Sequence, residues 1–172
     1  YHVVNALGTK PRRMLLVLTR GFGINTKNAI GALSHFQCTP EPQSLLDALE
    51  AEGTDNMIEM HRKVSGASGI GESSYFQEKS DSTADGEGYL LVTGEDTVRG
   101  LHLDGLDVVI IVGRPNGPDE YTHIAGRTGR AGRSGKVINI VGPDSAAGIK
   151  SWEKMLGVDF TQLEMSEIKE MD

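Results

Sequence analysis

Tyr121-Thr122-His123-Ile124-Ala125-Gly126-Arg127-Thr128-Gly129-Arg130 is the stretch on which the reading of this chain turns. Arg127 and Arg130 stand three apart, so wherever the backbone is helical or turn-like both guanidinium groups leave on one side and can meet a single anion. Gly126 and Gly129 each precede an arginine, where a missing Cβ admits a phosphate or another backbone and permits φ > 0. The pattern reads as a phosphate clamp; the plainer alternative is a basic loop on a solvated surface. The neighbours favour the clamp. Val108-Val109-Ile110-Ile111-Val112 precedes it and Val137-Ile138-Asn139-Ile140-Val141 follows, each an extended apolar run bounded by glycine. The order is strand, helix, phosphate-binding turn, strand.

Outward from this unit, Tyr89-Leu90-Leu91-Val92 reads as a further strand, parallel to its neighbours because helices and long crossovers separate them. Residues 65–88, rich in serine, glycine and acidic residues without periodicity, read as a loop or insertion. Before them the pattern predicts an edge strand at 1–4 and a helix over 10–20 entered through Pro11, with Met14, Leu15 and Leu18 as its buried stripe. It further predicts a break at 21–25, a buried strand over 29–37, a helix over 42–52 with Thr39 available as its cap, and a short strand at 57–60. Beyond Val141, a turn at 142–145 leads to a last helix in which Ile149, Trp152 and Leu156 share a face and Gly157 ends the run. Trp152 reads as a packing residue rather than a base-stacking platform.

A chain of 172 residues suits one domain with a sizeable core. We expect that domain to span 1–160, with 161–172 as an extension. The chain begins at Tyr1 and shows no charged-then-apolar leader, so a piece of a longer protein is expected. No apolar run approaches the roughly 18 residues of a membrane span, and no membrane partner is expected. Cys38 is the single cysteine, so no internal disulfide and no cysteine metal spacing are available, and an intracellular, reducing compartment is expected. The net charge of −7 is unlike a generic nucleic-acid surface. Its distribution matters more: residues 99–136 hold six basic and four acidic side chains, a balance of +2, which leaves −9 for the remainder. Such asymmetry points one face at phosphate.

Tyr-x-His-x-x-Gly-Arg-x-Gly-Arg at 121–130, preceded by Val98-Arg99-Gly100-Leu101 and the strand at 108–112, resembles the second RecA-like domain of the DEAD-box RNA helicases, over about residues 29–141. The resemblance implies a three-layer α/β RecA-like domain with a mainly parallel central sheet flanked by helices. It implies ATP with Mg2+, the metal ligands lying on a preceding N-terminal RecA-like domain. No Gly-x-x-x-x-Gly-Lys-Ser/Thr loop and no Asp-Glu-x-Asp tetrad occur in this chain, so the segment alone is not expected to hydrolyse nucleotide.

By the same resemblance Arg127 and Arg130 match the arginines that reach the γ-phosphate, and His123 the histidine that links to the partner domain. Gly100, Gly126 and Gly129, with His102 or Asp104, fall at nucleotide-facing positions. Thr39, Thr93, Gly94 and Arg99 fall at positions facing the RNA backbone. RNA and the N-terminal domain are the implied partners, with ribonucleoprotein or ribosome-assembly proteins beyond them. The chain departs from the family pattern where Ile124 replaces an arginine, His102 an aspartate, and Gly94-Glu95 a threonine-aspartate pair. A second reading therefore stands beside an active helicase: a catalytically degenerate one that binds RNA or protein within a ribonucleoprotein.

Overall fold

The computed structural model describes residues 13–36, 40–51, 89–99, 106–129 and 134–163. Strand β1 (Arg13–Leu18) leads through a 3-10 turn at Arg20–Phe22 into helix α1 (Thr26–His35), then β2 (Pro42–Ser44) and α2 (Leu45–Ala51). After the next described residues begin, β3 (Tyr89–Gly94) runs into the short α3 (Glu95–Val98). Then come β4 (Val108–Val112), α4 (Pro118–Ala125), β5 (Lys136–Ile140), α5 (Pro143–Lys150) and α6 (Glu153–Leu156), the last element among the described residues. The five strands form one sheet in the order β2-β3-β1-β4-β5, and every pairing in it is parallel.

A parallel sheet is covered on both faces, so its inner strands are apolar at consecutive positions rather than alternate ones. β1 and β4 follow this rule. Leu15, Val17, Leu91, Val109 and Ile111 point to one side, where they pack with Leu45 and Leu49 of α2, Tyr121 and Ile124 of α4, Ile149 of α5 and Trp152. Met14, Leu16, Leu90, Val92, Val108 and Ile110 point to the other, against Ala29, Ile30 and Leu33 of α1. The result is three layers, helix on sheet on helix.

β3, β4 and β5 lie where the apolar runs at 89–92, 108–112 and 137–141 predict strands, with β3 two residues longer and β5 one residue earlier. Two expectations reverse. Residues 13–18 are the central strand, not part of a helix: Met14 to Leu18 are all buried, and a helix over the same residues would turn some of them to water. Residues 26–35 are a helix and not a buried strand. Asn25 caps it, its side-chain oxygen accepting the Asn28 N–H at 2.8 Å, and no residue of the helix is fully buried. The helix predicted over 42–52 begins only at Leu45, since residues 42–44 pair with β3 as an edge strand.

The last helix is two, parted at Ser151 and Trp152, and Gly157 ends the second at φ 67°. Trp152 is 7% exposed and packs as expected. The expected elements at 1–4, 57–60 and 65–88, the Thr39 cap and most of the extension at 161–172 lie outside the described residues. No helix among the described residues is long and apolar enough to cross a membrane.

Candidate functional site

The glycine-arginine turn sits where α4 delivers it. Pro118 opens this helix, Tyr121 is drawn into an aromatic group with Phe160 at 5.4 Å and Trp152 at 6.4 Å between centroids, and Ile124 is fully buried. Burial raises the Tyr121 phenol above its usual range, and a hydrogen bond with Asn139 partly offsets this. His123 is on the exposed face of the same helix. The helix ends as the Gly126, Arg127 and Thr128 amides donate in turn to Thr122, Ile124 and Ala125 carbonyls at 2.9, 3.2 and 3.2 Å. Thr128 then bridges to Leu106 just before β4, its hydroxyl donating to the Leu106 carbonyl at 2.5 Å. Eight helical residues carry the chain roughly 12 Å back along the sheet, so the turn lies at the amino edge of the strands.

Arg127 is half-buried, and its Nη2 donates to the Val98 carbonyl at 3.2 Å. Val98 ends α3, immediately before Arg99. The two stretches that carry the sequence signature are therefore joined through one guanidinium. Gly129 is exposed at φ 70°, a conformation that favours glycine and leaves its backbone open to a ligand. Gly135 braces the turn from behind: a Cβ there would overlap the Thr128 hydroxyl and lie 2.5 Å from the Gly129 nitrogen. Gly135→Ala is expected to cost about 1–3 kcal/mol, as overpacking does, and to show as a lower denaturant midpoint with an unchanged slope.

At the opposite, carboxyl edge a cleft of ≈ 460 Å³ is lined by Arg20, Arg99 and Arg114 and by Glu95, Asp96 and Glu120. Arg20 pairs with Asp96, Nε donating to Oδ2 at 3.0 Å, and lies 3.7 Å from Glu95 Oε1. The hydrogen bond from Arg20 holds the Asp96 carboxyl below its ordinary range, so the pair persists at neutral pH and is lost only as pH falls through that lowered value. Arg99 Nε donates to Glu120 Oε1 at 3.1 Å, anchoring α3 to the first turn of α4. Glu95 Oε2 is buried and finds no hydrogen-bond partner among the described residues. Thr93 and Gly94 end β3 beside this cleft, with Thr93 2% exposed and Gly94 lining a second cleft of ≈ 350 Å³ at the start of α1.

Of the residues singled out from sequence, Gly126, Arg127 and Gly129 come together at one edge and Thr93, Gly94 and Arg99 gather toward the other. Thr39, Gly100, His102, Asp104 and Arg130 lie outside the described residues. With residues 26–35 helical, the strand that pointed to Thr39 is gone. Thr19 is the threonine that does follow a strand, β1, and its hydroxyl is spent on the Val112 carbonyl at 3.0 Å. Gly113, at φ 88°, leaves room for that hydroxyl. The sequence reading missed Arg20, Asp96, Arg114 and Glu120. Their signal was position: three of the four follow strands at the carboxyl edge of a parallel sheet, where such folds bind ligands. Among the described residues no three His, Cys, Asp or Glu side chains gather to hold a metal ion.

Residues 72–132 match the family described as the helicase conserved C-terminal domain. The chain is 39% identical over 79 residues to DEAD-box ATP-dependent RNA helicase 9, mitochondrial, of Arabidopsis thaliana, covering 46% of this chain and 13% of that protein. It is 37% identical over 76 residues to DEAD-box ATP-dependent RNA helicase CshC of Bacillus cereus, covering 44% and 20%. It is 41% identical over 68 residues to ATP-dependent RNA helicase RhlB of Pseudomonas syringae pv. tomato, covering 40% and 17%. The chain thus spans a fifth or less of these relatives. A crystal structure of a DEAD box protein from the hyperthermophile Methanococcus jannaschii shares the fold, with a TM-score of 0.52 at 20% identity over 94% of this chain and 38% of that one.

Proposed function

We propose, from the premise that this chain belongs to the DEAD-box RNA helicase family as a C-terminal RecA-like domain, that it supplies arginine fingers and RNA-backbone contacts to an ATP-dependent RNA helicase. The nucleotide site is completed by an N-terminal RecA-like domain. The observation that carries this reading is the Arg127 guanidinium bonded to the Val98 carbonyl, which ties the glycine-arginine turn to the end of α3, one residue before Arg99.

Arg127, with Arg130 three residues on, stabilises charge on a transferring phosphoryl group. The exposed, left-handed Gly129 and the neighbouring Gly126 let phosphate approach the backbone. Carboxylates of the other domain would hold Mg2+, which would supply further charge neutralisation when bound. His123, exposed on α4, faces that domain. His102 or Asp104 meets the ribose. Thr93, Gly94 and Arg99 serve the RNA backbone, positioning a strand without reading its bases. The protein works in an intracellular, reducing compartment.

A second reading, a catalytically degenerate helicase that binds RNA or protein in a ribonucleoprotein assembly, draws on Ile124. That side chain is 0% exposed, so the arginine the family has there is replaced by core. ATP hydrolysis by the complete protein, with and without RNA, separates the two. Hydrolysis that rises with RNA is expected; RNA binding without hydrolysis selects the second reading, and neither activity sinks both.

A further inference from the structure

Arg114 follows β4 and lines the carboxyl-edge cleft together with Arg20 and Arg99, but the three arginines differ in what holds their charge. Arg20 is engaged by Asp96 and Glu95, and Arg99 by Glu120. No carboxylate among the described residues pairs with Arg114. Its Cζ lies instead 5.1 Å from the centroid of the Trp152 ring. An aromatic face attracts and orients a guanidinium without neutralising it. Gly148 of α5 completes the seat, since a Cβ there would come within 2.8 Å of Arg114 Cζ and 2.9 Å of Nη1. Arg114 is thus exposed and already oriented, so it loses little side-chain freedom when it meets a ligand.

We infer that Arg114 contacts a backbone phosphate of RNA, and that Trp152 and Gly148 are positioning residues that hold its guanidinium in the cleft. The inference rests on the helicase reading above. The cleft's place in the fold favours RNA over nucleotide. Gly126, Arg127 and Gly129 stand at the other end of α4, roughly 12 Å along the helix. Thr93 and Gly94, at the RNA-facing positions, end β3 on the same edge as Arg114.

The test is equilibrium binding of the complete protein to single-stranded RNA between about 0.05 and 0.2 M salt, with each single phosphate contact adding about 0.7 to the slope of log affinity against log salt. Arg114→Gln is expected to flatten the slope by about 0.7 and weaken binding by about fourfold at 0.15 M, equally for unrelated sequences. Arg114→Lys is expected to restore the slope, Gly148→Ala to reproduce the loss by displacing the guanidinium, and nucleotide affinity without RNA to stay unchanged. An unaltered slope in Arg114→Gln with RNA binding intact overturns the inference and leaves the helicase reading standing. A loss confined to nucleotide affinity overturns it as well. An unaltered protein that binds no RNA overturns the helicase reading, and this inference with it.

Discussion

Arg127→Ala in the complete protein is expected to lower RNA-stimulated ATP hydrolysis by about 10³-fold or more, the range an arginine aimed at a transferring phosphoryl group supplies. The side chain has a second tie, the bond from Nη2 to the Val98 carbonyl, and losing a charged hydrogen bond costs about 1.5–3 kcal/mol. Hydrolysis must therefore be measured beside thermal unfolding. A folded variant with lost turnover supports the finger. Arg127→Lys sharpens the result, because it keeps the charge but not the planar fork and should stay strongly impaired. Arg130→Ala is expected to behave as Arg127→Ala does. Turnover within about tenfold of the unaltered protein in folded Arg127→Ala would remove Arg127 from the phosphoryl site.

Leu15→Ala is expected to destabilise the domain by about 3–5 kcal/mol. Leu15 is 0% exposed on the central strand, with Leu91 and Val109 as its neighbours in register on either side, so truncation leaves a hole that no loop can fill. Chemical unfolding would show a lower midpoint at the same slope. Leu46→Ala is the control, since Leu46 is 56% exposed on α2 and its loss should stay within about 0.5 kcal/mol. Equal effects of the two substitutions would contradict a buried central strand at 13–18.

That strand is also where the sequence was hardest to read. Met14-Leu15-Leu16-Val17-Leu18 is an unbroken apolar run, and such a run carries no periodicity to separate a strand buried on both faces from a helix. Pro11 tipped the reading toward a helix. In residues 26–35 the apolar positions are few and the cap lies at Asn25, inside what reads as a break, so the helix was hidden by its own start signal. The strands at 89, 108 and 136 were legible because glycines bound them and turn chemistry punctuates the chain between them. The glycine-arginine turn was legible for a related reason: it is local, built from residues within one short stretch. The cleft of Arg20, Glu95, Arg99 and Arg114 is not local. It forms only when the ends of β1, β3 and β4 lie side by side, and no spacing along the chain announces that.

The position of β1 at the middle of the sheet also sets a schedule. Its first hydrogen-bonded neighbour begins at Tyr89, opposite Arg13, and its second at Val108, opposite Met14. A ribosome adding about 5–20 residues per second takes several seconds to reach them. During that interval an unbroken apolar run is finished and has no sheet to join. Newborn chains should therefore be most vulnerable before β4 emerges, and a chaperone that covers 14–18 would act on the nascent chain rather than on the released product.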